Sequence, residues 1–253
     1  MMTKSGIAVS RGGRGRPLVL CPGLLTTQAD LHELTALLRR DHDVVTFDLR
    51  GHGLSRPAGE YTFAAFLADL ATVLDDLEFS EPPVLAGHSL GADLVVHYAA
   101  AHPDAVSRLV VVDGANPVPE PFVTEADLPQ FRAMAEHLRS EFAVVAGTAR
   151  QVLLTPQDVV ALNLEIDAVR SEIIEAYRRI DVPVTMIMAA SMAGTGGDER
   201  TRWRNRNWRA GIDRLVRERP HIRVSWLDAD HRLVLTHAPE IARLAGPGTL
   251  DRC

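Results

Sequence analysis

Cysteine is nearly missing from this 253-residue chain: Cys21 and Cys253 are the only two, and two are no disulfide framework. Long apolar runs are missing as well. Pro, Gly or a charge interrupts each run well short of the roughly 18 to 20 residues that span a bilayer, so no membrane span is expected. Nor is there a surplus of positive charge. Acidic side chains outnumber basic ones, 33 to 27, for a net charge of −6, which leaves no electrostatic footprint for nucleic acid or an anionic membrane and makes a small molecule the expected partner. Met1 to Arg16 carries Gly and Arg but no apolar core with a small-residue cleavage site; no secretory leader is read there, and a cytoplasmic location is expected. No His, Cys, Asp or Glu spacing reproduces a zinc or iron site, so neither metal nor cofactor is expected. The glycine-rich Arg11 to Gly15 follows no strand and lacks the Lys-Ser/Thr ending of a phosphate loop, which reduces it to a turn. No internal repeat is present.

What remains is an ordinary globular composition, 46% hydrophobic and 24% charged, in a length that α/β proteins commonly fold as one domain with insertions. Compact apolar runs beside turn signals predict strands at Leu18–Cys21, Val44–Phe47, Val84–Ala86, Leu109–Val112, Val184–Met188 and Ile222–Leu227. Helical periodicity fills most gaps between them, at Ala29–Arg40, Phe63–Leu77, Leu90–Ala101 and Gly211–Arg219, and His102-Pro103 stops the third. Such alternation predicts a mostly parallel sheet with helices on both faces. Gly6–Ser10 supplies at most an edge strand. The alternation breaks between Pro117 and Asp181, where helical patterns such as Leu128–Phe142 and Pro156–Tyr177 occur without a convincing strand. The expected organisation is therefore a core of residues 1–117 and 182–253 with a helical cap over residues 118–181.

One pentapeptide carries chemistry. Gly87-His88-Ser89-Leu90-Gly91 follows an apolar run and precedes a helix, the strand-turn-helix context that the nucleophile elbow G-x-S-x-G requires. The bare pattern also arises by chance; the context is what gives it weight. A sharp turn there strains Ser89 and brings flanking chains close, so side chains are removed at Gly87 and Gly91. The helix beginning at Leu90 then aims free N–H groups and its positive end at any oxyanion formed on a substrate.

Here the sequence resembles the α/β-hydrolase superfamily, and the likeness covers most of the chain outside the cap. Val19-Leu20-Cys21-Pro22-Gly23-Leu24 is similar to the strand and oxyanion loop of that family, with Pro22-Gly23 where many members have His-Gly. Phe47-Asp48-Leu49-Arg50-Gly51-His52-Gly53-Leu54-Ser55 matches its Asp-x-Arg-Gly-x-Gly-x-Ser turn, and Asp230-His231, after the last strand, stands where relatives place the catalytic His. The resemblance implies the α/β-hydrolase fold, Ser89 as nucleophile, His231 as general base, and the backbone N–H groups of Leu24 and Leu90 as oxyanion hole. The chemistry is consistent: a serine hydroxyl needs an adjacent imidazole to take its proton, and a developing alkoxide needs preorganised donors.

The resemblance also implies a Ser-His-acid triad, and the acid departs from the common pattern. Most relatives carry an acid shortly after the strand that here is Val184–Met188, but Ala189-Ala190-Ser191-Met192-Ala193-Gly194 follows. Asp113, ending the preceding strand, and Asp198, beyond the Gly194–Gly197 stretch, are the alternatives. Asp113 is preferred, since a strand end is rigid and faces the same crevice as Ser89; an Asp that merely closes its strand through a turn hydrogen bond is the bland reading.

His52 and His88 sit in turn motifs, where a structural role is expected, and His97 on a helix is expected to pack. Arg200, Arg202, Arg204, Arg206 and Arg209, interleaved with Trp203 and Trp208, are expected to form a solvated helix face or a rim contact to an anionic group. The expected function is a serine hydrolase that cleaves an ester, thioester or lactone of a small, largely apolar molecule through an acyl-enzyme. A lyase, cyclase or acyltransferase of the same fold is the alternative, motivated by the missing acid. Phe122, Phe131, Met134, Leu138, Phe142, Leu153 and Leu154 suit an apolar ligand or simply pack the cap. The sequence does not speak to oligomeric state.

Overall fold

The computed structural model describes residues 1–57, 59–124 and 127–246; Cys253 lies outside the described residues. Among the described residues seven strands form one sheet: β1 (Val9–Gly13), β2 (Arg16–Cys21), β3 (His42–Phe47), β4 (Val84–His88), β5 (Arg108–Val112), β6 (Val184–Ala189) and β7 (Arg223–Leu227), in the spatial order β1-β3-β2-β4-β5-β6-β7. Only β1 runs antiparallel, on β3. The central strands β2, β4, β5 and β6 read as near-continuous apolar runs because both faces of the sheet are covered there.

Alternate residues of these strands feed two apolar layers. Leu18, Leu20, Val84 and Val110 pack with Leu34 and Leu38 of α1 (His32–Leu38), Leu233 of the short α7 (Leu233–Thr236) and Ile241 of α8 (Ala238–Ala245). Val19, Val45, Leu85 and Val111 face Phe66 and Leu70 of α2 (Phe63–Asp75), Val95 of α3 (Leu90–Ala101), and Ile173 of α5 (Pro156–Arg178) with Ile212 of α6 (Glu199–Glu218). Between β5 and β6, α4 (Leu128–Val145) lies against α5, and the second half of α5 docks on α3. A capping box at Thr155 and Asp158, with Pro156 in the first turn, starts α5.

Three of the departures from the sequence expectation have a clear physical reason. β1 continues through Arg11 to Gly13, so the turn before β2 shrinks to Arg14 and Gly15. α1 begins only at His32, because Asp30 accepts both the N–H and the hydroxyl of Thr27 and closes a turn first. α6 begins at Glu199, twelve residues before the expected start: Asp198 caps it by accepting from Thr201 N–H, arginine is a good helix former, and Trp208, Ile212 and Leu215 supply a buried stripe at helical spacing. Among the described residues no helix is long and apolar enough to cross a membrane.

Candidate active site

The parallel strands all end on one side, and there the chain gathers its chemistry. Between β4 and α3, Ser89 adopts φ 51°, ψ −120°, a left-handed backbone that a non-glycine residue holds only when its surroundings force it. Ser89 N–H donates to Val112 O at 3.0 Å, tying the turn to β5. The two flanking glycines are required by space: a Cβ on Gly87 would stand 2.2 Å from Gly91 O, and one on Gly91 would stand 2.3 Å from Cys21 O.

Ser89 Oγ–H donates to His231 Nε2 at 2.9 Å, and His231 Nδ1–H donates to Asp113 Oδ2 at 2.7 Å. A carboxylate only accepts, so the proton of the neutral ring sits on Nδ1 and Nε2 is free to accept the serine proton. Asp113, which follows β5 with φ 43°, is fully buried. Its Oδ1 accepts from Ala189 N–H at 3.0 Å and from Trp208 Nε1–H at 2.9 Å. The structure thus brings Ser89, His231 and Asp113 together. Asp198 stands apart as the exposed N-cap of α6.

Neighbouring histidines hold the frame. His88 Nε2–H donates to the carbonyl of His231 at 3.0 Å, with the two rings 5.0 Å apart. Burial, reinforced by the nearby His231, pushes the His88 pKa down to about 3. His52 Nδ1–H donates to Arg50 O at 2.9 Å, which leaves Nε2 to accept from Leu25 N–H at 3.1 Å. Burial lowers its pKa to about 4, so the acceptor persists at neutral pH. His97 packs edge-on against Phe63, ring centroids 5.1 Å apart.

Leu24, just past β2, and Leu90, the first residue of α3, present backbone N–H groups near this end of the sheet. Among the described residues neither donates a hydrogen bond. Ser89 and His231 open onto a cavity of about 140 Å³ walled by Leu24, Phe122, Phe131, Met192 and Trp208, with Asn163 and Arg170 among its polar groups. Of the apolar residues singled out between 118 and 181, Phe122 and Phe131 reach this cavity, whereas Met134 and Leu153 are exposed and Leu154 is buried in the main core.

The arginine- and tryptophan-rich segment is where the sequence expectation needs correction. It is not a solvated face throughout: Trp208 is 1% exposed and bonds Asp113, and Arg204 is mostly buried against Asp127 at 3.1 Å. Arg200 also pairs with Asp127. Arg170 of α5 forms a buried pair with Asp93 of α3 at 2.7 Å, and Asp93 in turn accepts from Ala115 N–H at 3.0 Å, fixing the loop that follows Asp113. Sequence reasoning named Trp208 only as part of this segment, without its bond to Asp113, and missed Arg170. The one available signal was a tryptophan at helical spacing with Ile212 and Leu215.

Comparison with known proteins agrees with this fold. A family model described as the alpha/beta hydrolase fold matches residues 16–244. The chain is 33% identical to an sn-1-specific diacylglycerol lipase of Xenopus laevis over 140 residues, 54% of this chain and 44% of that protein. It is 32% identical to the esterase YbfF of Escherichia coli over 97 residues, 38% of each. The matched stretches therefore span less than half the length of either curated relative. A solved carboxylesterase of Nitrososphaera gargenis superposes with a TM-score of 0.72 at 20% identity, over 97% of this chain and 95% of that one, a likeness of fold.

Proposed function

The chain belongs to the alpha/beta hydrolase fold family, and from that premise we propose that it is a serine hydrolase acting on a carboxylic ester, thioester or lactone. The observation that carries the reading is the continuous chain of hydrogen bonds from Ser89 Oγ through His231 to Asp113, 2.9 Å and 2.7 Å long. In this mechanism Ser89 attacks the substrate carbonyl as His231 Nε2 takes its proton. Asp113 holds the imidazole in the required tautomer and balances the imidazolium. The N–H groups of Leu24 and Leu90 receive the oxyanion, His231 returns the proton to the leaving oxygen or sulfur, and water repeats the sequence to release the acid.

Cavity size supports a small substrate. A space of about 140 Å³ is close to the roughly 150 Å³ of a cavity that accommodates benzene, which supports a small group beside Ser89. Its mostly apolar wall supports a largely apolar group. Residues 118–181 act in the same proposal as a cap, with Phe122 and Phe131 closing the cavity from that side. Names of relatives point the same way: a diacylglycerol lipase and an esterase both cleave carboxylic esters. The lyase, cyclase or acyltransferase alternative rests on the absent acid after β6, and Asp113 bonded to His231 supports the hydrolase reading over it.

The test is a panel of p-nitrophenyl esters of increasing acyl length, assayed on the protein and on Ser89→Ala. Turnover that favours short acyl groups and vanishes in the variant is expected. Turnover that survives Ser89→Ala would contradict the assignment.

A further inference from the structure

The turn Asp48–Ser55 is built to grip the loop that follows β2. His52 Nε2 accepts from Leu25 N–H at 3.1 Å, one residue from the Leu24 N–H. Three residues further on, Asp48 accepts from Gln28 N–H at 2.7 Å and from the Gln28 side-chain amide at 3.0 Å. The loop is therefore held at both ends by one turn. Leu25 needs such a hold, because it sits at φ 64° without being glycine, a conformation that relaxes unless it is over-determined.

The turn is itself clamped. Gly53 N–H donates to Gln151 O at 2.8 Å, Leu153 N–H donates to Gly51 O at 2.8 Å, and the Gln151 side-chain amide donates to Gly53 O at 2.8 Å. These bonds flank His52 on both sides and come from the segment joining α4 to α5. His52 is fully buried and edge-on to Phe66, with ring centroids 6.4 Å apart. Its Nδ1–H is committed to Arg50 O, so the only atom it offers the loop is a fixed acceptor. Among the described residues the ring bonds Arg50 and Leu25 rather than Ser89 or His231, and its Nδ1 proton is held by the Arg50 carbonyl.

We propose that His52 is a positioning residue of the oxyanion site: its Nε2, locked as an acceptor, fixes Leu25 and so aims the Leu24 N–H at the developing oxyanion. The inference rests on the serine hydrolase reading. Its physical content is preorganisation. Losing a single oxyanion donor costs about 10² to 10³ in kcat, and a misplacement of about 1 Å costs about 10². A loosened loop at Leu25 leaves the donor present but badly aimed.

Two substitutions separate this role from mere packing. His52→Met fills the space but supplies no comparable acceptor, whereas the amide of His52→Gln carries an N–H donor and an oxygen acceptor about as far apart as the two ring nitrogens, and it cannot titrate. With an ester that the protein turns over, His52→Met is expected to lower kcat ten- to a hundredfold with KM within about threefold, and to raise hydrogen exchange at the Leu25 amide. His52→Gln is expected to restore kcat to within about threefold. Equal kcat in His52→Met and the unsubstituted protein would overturn the proposal. So would equal losses in both variants, which would indicate packing alone. If His52→Met does not fold, a loss above tenfold in a folded His52→Gln overturns it instead. Absence of Ser89-dependent labelling by a fluorophosphonate in the unsubstituted protein would remove the underlying hydrolase reading, an outcome distinct from the others.

Discussion

Replacing Asp113 by Asn changes one atom and, on the geometry above, nearly all of the activity. Asp113 Oδ1 receives two N–H donors, from Ala189 at 3.0 Å and Trp208 at 2.9 Å. In Asp113→Asn the amide oxygen must take that place, since an NH₂ there would confront both donors. The NH₂ then faces His231 Nδ1 and donates to it. The imidazole is forced to carry its proton on Nε2, where it can no longer accept one from Ser89. A wrong tautomer in a Ser-His-Asp arrangement costs about 10⁴ in kcat, on the order of 5 kcal/mol. The escape is the flipped amide, which strands both donors at about 1–3 kcal/mol each and so becomes the active minority form. The expected loss lies between about 10² and 10⁴ in kcat, with KM little changed and the fold intact, since shape and volume are conserved. The assay is steady-state hydrolysis of a p-nitrophenyl ester beside a thermal melt. Asp198→Asn, an exposed N-cap where Asn serves about as well, should stay within about twofold. A loss below tenfold in Asp113→Asn, or an equal loss in Asp198→Asn, would refute the reasoning.

Further outcomes follow from the same structure. Trp208→Phe keeps a buried ring but removes the Nε1–H that Asp113 accepts; a hydrogen bond to a charged group contributes about 1.5–3 kcal/mol, so a melting temperature lower by about 3–12 °C is expected, and an unchanged melt would contradict it. Asp93→Leu leaves Arg170 buried without its partner and should cost about 3–5 kcal/mol in urea denaturation, while adding Arg170→Met should recover a large part of it; a double variant no better than the single would argue against the pair. Acid should destabilise the protein through His52 and His88, whose burial lowers their pKa values to about 4 and about 3. The unfolded chain takes up these protons near pH 6.5 and the folded one does not, so stability is full above that pH and falls below it, by about 2 kcal/mol per histidine between pH 7 and pH 5. Denaturation that is equally hard at both values would refute this.

What the sequence revealed and what it hid divide along contact range. β4, β5 and β6 were legible to within two residues because both faces are covered and the strands read as unbroken apolar runs, and α3 was legible at both ends from the elbow and His102-Pro103. Ser89 announced itself through glycines that only a close backbone approach demands. Asp113 was read as the preferred acid because a strand end is rigid. The first half of α6 was hidden, since five arginines among few apolar residues look like a solvated surface until Asp127 arrives from elsewhere in the chain. Trp208 on Asp113, 95 residues apart, and His52 on Leu25, 27 apart, are choices of partner that no local pattern encodes. The strand β1 ran past its expected end because pairing with β3 overrode the turn preference of its glycines.

The central claim is that His231 activates Ser89, and peptide mapping of a fluorophosphonate adduct tests it most directly. One adduct on the peptide containing Ser89, formed at least a hundredfold more slowly in His231→Ala, is the result this structure predicts. An adduct on another residue, or labelling at an undiminished rate in His231→Ala, would contradict it.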